Sequence, residues 1–128
     1  MHKAYLVIGT VLAGLSVVLG AFGAHGLKQI VPPETVATYQ TGVQYQIYHA
    51  FALILVGILY ERFPNNFVNL AGMFFIAGVV LFSGSLYLLA SLKAMNRVGL
   101  SGVGIITPIG GLLFITGWVL LLIGILRK

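Results

Sequence analysis

Apolar residues run along this chain in long blocks, interrupted at a few charged positions that mark the ends of candidate helices. Lys3 and Lys28 enclose 24 uncharged residues, Glu34 and Glu61 enclose 26, Arg62 and Lys93 enclose 30, and Arg97 and Arg127 enclose 29. A transmembrane helix needs about 20 largely apolar residues at about 1.5 Å rise each. Every interval therefore holds one span and none holds two. The expected spans are residues 4–24, 42–60, 67–91 and 107–126 of one transmembrane domain covering residues 1–128. The expected fold class is all-α, an integral membrane antiparallel four-helix bundle.

The connections carry their own punctuation. Gly23, Gly26 and Pro32-Pro33 stop the first helix, and Pro33 with Glu34 suits the N-terminus of the second. Glu34 precedes the apolar part by two turns, so the second helix is expected to begin outside the bilayer. Arg62-Phe63-Pro64-Asn65-Asn66 reads as a short polar turn joining antiparallel neighbours. The third connection, residues 93–106, alternates Gly99, Gly102 and Gly104 with Leu100, Val103, Ile105 and Ile106. It reads as an interfacial or re-entrant segment, because irregular backbone cannot face lipid unprotected. Thr107 then reads as an N-cap with Pro108 at the first helical position.

Composition makes the membrane reading compulsory. The 128 residues are 59% hydrophobic and 7% charged, with a mean hydropathy of +1.07. Soluble proteins average about 25% charged residues; here there is too little polar side chain to cover a water-facing surface. The net charge of +5 comes from seven basic residues spread singly, which argues against a nucleic-acid partner. With no cysteine there is no disulfide framework, thiolate metal site or cysteine nucleophile. The first apolar stretch outruns the usual signal core of about 7–15 residues, so it is expected to be a retained helix. Four spans place Lys3, Arg62, Arg127 and Lys128 on one side and Lys28, Lys93 and Arg97 on the other. That charge excess points to both termini in the cytoplasm of a bacterial plasma (inner) membrane.

Helices in lipid gain little from hydrophobicity against one another, so small residues that admit close backbone approach mark the seams. Gly9, Ala13, Ser16, Gly20, Gly23 and Ala24 fall on one face of the first helix. Gly110, Gly117 and Gly124 recur on the fourth, and Ala77, Gly84 and Ser91 on the third. Any of these seams could instead face a second copy in a homo-oligomer. Trp118 lies mid-way along the fourth span and is expected to fill space inside the bundle, its indole N–H directed at an oxygen of Ser83, Ser85 or Tyr87.

The second span is unusually polar, reading Thr38-Tyr39-Gln40-Thr41-Gly42-Val43-Gln44-Tyr45-Gln46-Ile47-Tyr48-His49. Thr38, Gly42, Tyr45 and His49 share a face, with Gln46 at its edge. Charged imidazole is costly at that depth, so His49 is expected neutral. His25 closes the first helix where the second begins, and Thr107 returns to the same half. The candidate cluster is therefore His25, Tyr45, Gln46, His49, Ser83, Ser85 and Thr107. It reads either as interhelical polar glue, with His25 capping the first helix, or as a small binding or proton-relay site. No metal, haem or other cofactor is expected, since two histidines are an incomplete ligand set and Glu34 projects outside the bilayer. The only carboxylates, Glu34 and Glu61, sit at helix ends on opposite sides, which excludes paired-carboxylate and Ser-His-Asp catalysis. The Gly-rich segments lack the context of a nucleotide-binding loop.

Five segments resemble a known family of small four-span membrane proteins: Gly20 to Leu27, Tyr45 to Ala50, Phe82 to Tyr87, Ile106 to Gly111 and Phe114 to Trp118. It is domain-of-unknown-function family 423, related to animal transmembrane protein 256. The resemblance implies a four-helix inner-membrane protein without an established activity, and it supplies no catalytic residues. The expectation is thus a non-enzymatic membrane component that is structural or binds lipid or a partner. The alternative is an oligomeric carrier or channel-like unit for a small solute or proton, centred on His49.

Overall fold

Long apolar runs close their backbone hydrogen bonds within one segment, because lipid offers none. The computed structural model describes residues 2–95 and 101–127, the side chains of residues 101 and 102 excepted. Helix α1 spans Lys3–Ala24, followed by a short tight turn at Leu27–Gln29. Helix α2 spans Pro33–Leu59, with Pro33 in its first turn, where a missing N–H costs nothing. Helix α3, Asn66–Gly78, is capped by the Asn65 side chain, which accepts from the Val68 N–H at 3.1 Å. A π turn at Val79–Ser83 leads directly into α4, Gly84–Ala94, so Asn66–Ala94 is one rod. Helix α5 spans Ser101–Leu126. Four rods are long and apolar enough to cross a bilayer, and no strand occurs among the described residues.

The rods alternate in direction. The His2 N–H donates to the Gly57 carbonyl at 2.9 Å, and Asn65 Nδ2 donates to the Gly124 carbonyl at 2.9 Å. One rim therefore gathers the start of α1, the turn between α2 and α3 and the end of α5. The opposite rim holds residues 25–34 and Lys93. Helix α2 packs along α1 on one side and along the third rod on another, and α5 packs along the third rod. The larger core centres on Leu53, Val56, Val68, Phe75 and Phe114, and a smaller one near the other rim on Leu27, Tyr39, Val43 and Ala90.

Two small-residue rows form these seams. On α1, a Cβ at Gly9 would lie 2.8 Å from the Ala50 carbonyl, and Gly23 abuts Tyr39 and Gln40. On α5, Gly110, Gly117 and Gly124 face Phe82, Phe75 and Val68 in turn. The expected row on the third rod behaves differently. Gly84 has open space around it and Ser91 is exposed, while Gly72 and Gly78 receive Tyr5 and Phe114. The reason is the π turn, whose wider winding shifts the phase between residues 77 and 84, so a wheel drawn at a constant angle misplaces everything beyond it.

The third connection also departs from expectation. Residues 96–100, with Arg97 and Gly99, lie outside the described residues, as does Lys128. From Ser101 onward the chain is already helical, so Thr107 is not an N-cap and Pro108 sits inside α5. Pro108 forgoes a single backbone bond, whereas an irregular segment would leave many groups unbonded in hydrocarbon. Helix formation wins.

Candidate functional site

Gln46 and His49 of α2 lie in the seams it shares with its neighbours. Gln46, 3% exposed, joins three helices. Its Nε2 donates to the Leu12 carbonyl of α1 at 2.9 Å, and its Oε1 accepts from the Tyr87 hydroxyl of α4 at 2.6 Å. One turn toward the N-terminus, the Ser83 hydroxyl donates to the Gly42 carbonyl at 2.6 Å. This bond ties the C-terminal end of the π turn to α2.

His49, 4% exposed, is held on both nitrogens. Nδ1 pairs with the Tyr45 carbonyl at 2.7 Å, and Nε2 accepts from the Trp118 indole N–H at 3.1 Å. An indole nitrogen only donates, so the imidazole proton resides on Nδ1 and the ring is neutral. The ring lies flat on Phe114, with centroids 3.6 Å apart and an interplanar angle of 10°. Trp118 was expected inside the bundle and bonded to a hydroxyl. It is instead 43% exposed at the bundle's edge, with its indole N–H bonded to His49 of α2 and its ring packed on Phe75 of the third rod, centroids 4.8 Å apart.

The remaining candidates divide. Ser85 donates to the Phe82 carbonyl at 2.8 Å and, its proton committed, accepts from the Thr107 hydroxyl at 2.5 Å. This pair links α4 to α5. The Tyr45 ring packs against Phe82 at 4.7 Å, between α2 and the third rod, while its hydroxyl makes no hydrogen bond among the described residues. His25 does not join the group: it is exposed just beyond α1, and its backbone N–H closes that helix on Ala21 and Phe22. Gly23 faces α2, and two residues further round, at about 100° each, is the opposite side. Its imidazole caps no carbonyl among the described residues.

Sequence reasoning overlooked three members of the network. Tyr39 donates to the Leu19 carbonyl at 2.7 Å, Gln40 Nε2 donates to the Gly20 carbonyl at 3.2 Å, and Tyr87 meets Gln46. A signal existed for Tyr87, which lies four residues after Ser83 and so on the same helix face. Every buried side-chain nitrogen and oxygen among the described residues has a hydrogen-bond partner. No three His, Cys, Asp or Glu side chains converge among those residues, and Glu34 and Glu61 are exposed near opposite rims. The cluster can hold helices in register; it offers no free base beside a nucleophile.

A family model described as "Protein of unknown function (DUF423)" matches residues 19–111. The chain belongs to the DUF423 family. It is 40% identical to the UPF0382 membrane protein YwdK of Bacillus subtilis over 126 residues, 98% of each chain. It is 34% identical to the UPF0382 inner membrane protein YgdD of Escherichia coli over 128 residues, 99% of this chain and 93% of that one. A Haemophilus influenzae UPF0382 membrane protein is 39% identical over 97% of this chain and 94% of its own. No solved structure matches. This DUF423 protein is thus a small multi-pass membrane protein of a family whose function is unknown. The DUF423 match includes Gln46, His49, Ser83, Ser85 and Thr107, and it ends before Trp118.

Proposed function

We propose that this protein is a non-catalytic component of the bacterial inner membrane, in which the intramembrane polar groups fasten helices and the outer faces meet lipid and partners. The observation carrying this reading is His49, whose two nitrogens are both committed to protein partners. A proton relay or solute site needs a group that can exchange its partner with water or cargo, and removing either bond here strands a polar atom in hydrocarbon. The printed name of the Escherichia coli relative supports the inner membrane. The excess of basic residues among Lys3, Arg62, Arg127 and Lys128 over Lys28, Lys93 and Arg97 favours cytoplasmic termini.

The test reconstitutes the full chain in liposomes under a pH gradient and compares it with His49→Gln and Trp118→Phe. Proton leak at the level of empty liposomes for all three, with lowered melting temperatures for the variants, is the expected result. A leak above that level in the unsubstituted protein, abolished by His49→Gln at unchanged melting temperature, overturns the reading in favour of a proton carrier.

A further inference from the structure

The outward face of α2 carries polar groups that the protomer leaves unpaired. Gln44 and Tyr48 are exposed, one helical turn apart, and neither side chain makes a hydrogen bond among the described residues. Their depth makes this costly. Gln46, two residues from each and so about 3 Å along the axis, bonds to the Leu12 carbonyl near the middle of α1, Lys3–Ala24. This sets both groups midway between the rims, deeper than the expected span 42–60 would place Gln44. In a hydrocarbon layer about 30 Å thick, both sit near the middle, too deep for a carboxamide or phenol to reach the headgroups. Acyl chains at that level have no donor or acceptor. Membrane helices turn such groups toward partners, and interhelical carboxamide and hydroxyl bonds are a recognised source of association.

We infer that the outward stripe of α2 pairs with the same stripe of a second copy of this chain. Gln44 and Tyr48 each carry both a donor and an acceptor, so the stripe is complementary to itself, as a twofold interface requires. It is also symmetric about Gln46. Copies inserted in the same direction bring Gln44 to Gln44 and Tyr48 to Tyr48, and opposed copies bring Gln44 to Tyr48. Either way each polar group meets another at its own depth. The stripe continues as Phe51 and Leu55, 59% and 44% exposed. The steps of four, three and four residues from Gln44 to Leu55 are the spacing of a left-handed helix pair. By contrast, the glycine rows of α1 and α5 are filled within the protomer at Gly9, Gly23, Gly110, Gly117 and Gly124. The inference goes beyond the scaffold reading and does not rest on it.

The chain has no cysteine, which permits a clean crosslinking test. Full-length variants Gln44→Cys, Tyr48→Cys and Leu55→Cys, singly and with the first two mixed, are oxidised in native membranes beside Val17→Cys and Ile115→Cys. The last two substitute exposed positions on α1 and α5. Disulfide-linked dimer several-fold above the α1 and α5 positions is expected, from Gln44→Cys alone for same-direction copies or from the mixed pair for opposed ones. Equal yields at all positions, or capture of a different protein at the stripe, overturn the inference. Because oxidation can trap chance encounters, dimer formation is also followed by energy transfer between labelled chains in phosphatidylcholine/phosphatidylglycerol vesicles. Gln44→Leu combined with Tyr48→Phe should weaken association about tenfold while leaving the melting temperature of the protomer in place. Undiminished association in this double variant refutes the polar basis of the contact.

Discussion

The seam between α1 and α2 and the seam between the third rod and α5 solve one problem in two ways. In the first, side chains of α2 reach across and donate to α1 backbone carbonyls: Gln46 to Leu12, Tyr39 to Leu19 and Gln40 to Gly20. The Leu19 and Gly20 carbonyls each have a second lone pair for the incoming bond, so α1 keeps its own ladder there, while the Leu12 carbonyl is shared by Gln46 and the Ser16 hydroxyl at 2.8 Å. In the second, bulky groups sit in glycine notches at seven-residue intervals, Phe82 at Gly110, Phe75 at Gly117 and Val68 at Gly124, with a polar bond toward each end, Ser85 with Thr107 and Asn65 with the Gly124 carbonyl. Lipid tails are as apolar as leucine, so burial alone drives neither seam. Association comes from bonds that hydrocarbon cannot supply, or from surfaces that fit more closely to each other than to acyl chains.

The sharpest way to break the second seam is Gly110→Ala. The new methyl would overlap the backbone of Phe82, which cannot swing aside as a side-chain tip can. A loss of about 2–3 kcal/mol is expected, read from unfolding in mixed detergent micelles. A near-neutral result would mean that the α5 notches are looser than drawn. For the first seam, Gln46→Leu removes two interhelical bonds and deprives the Tyr87 hydroxyl of its acceptor. Interhelical bonds in membranes are modest, so a loss of about 1–2 kcal/mol is expected, smaller than at Gly110. If Gln46→Leu proves the more damaging, polar fastening outranks close packing and the order of the comparison reverses. The smallest effect belongs to Gly14→Ala, where a methyl meets open space. No loss is expected there, and a gain of up to about 1 kcal/mol follows from helix propensity; a marked loss would reveal an unrecognised contact on the outer face of α1.

Gln46, His49 and Ser83 were legible as candidates because a polar residue inside an apolar block is conspicuous and costly to leave unpaired. Their partners were not. Trp118 is 69 positions from His49, and nothing in the spacing of α5 says which of its faces turns to α2. His25 illustrates the reverse error: closeness along the chain suggested convergence, yet the helix face points it outward. The row Ala77, Gly84 and Ser91 failed because a π turn, invisible to periodicity, resets the phase midway.

What the amino-acid order determined unaided was the solvent and the number of rods. Charge-free intervals of 24 to 30 residues can be stable only as single helices across a hydrocarbon layer, and two of the three small-residue rows named their own seams. What tertiary structure alone decided was the azimuth of each rod, and with it which polar groups meet. That outcome depends on side chains from helices far apart in sequence competing for the same carbonyls and notches. A helix confines its backbone bonds to itself, and so carries no record of which way it faces.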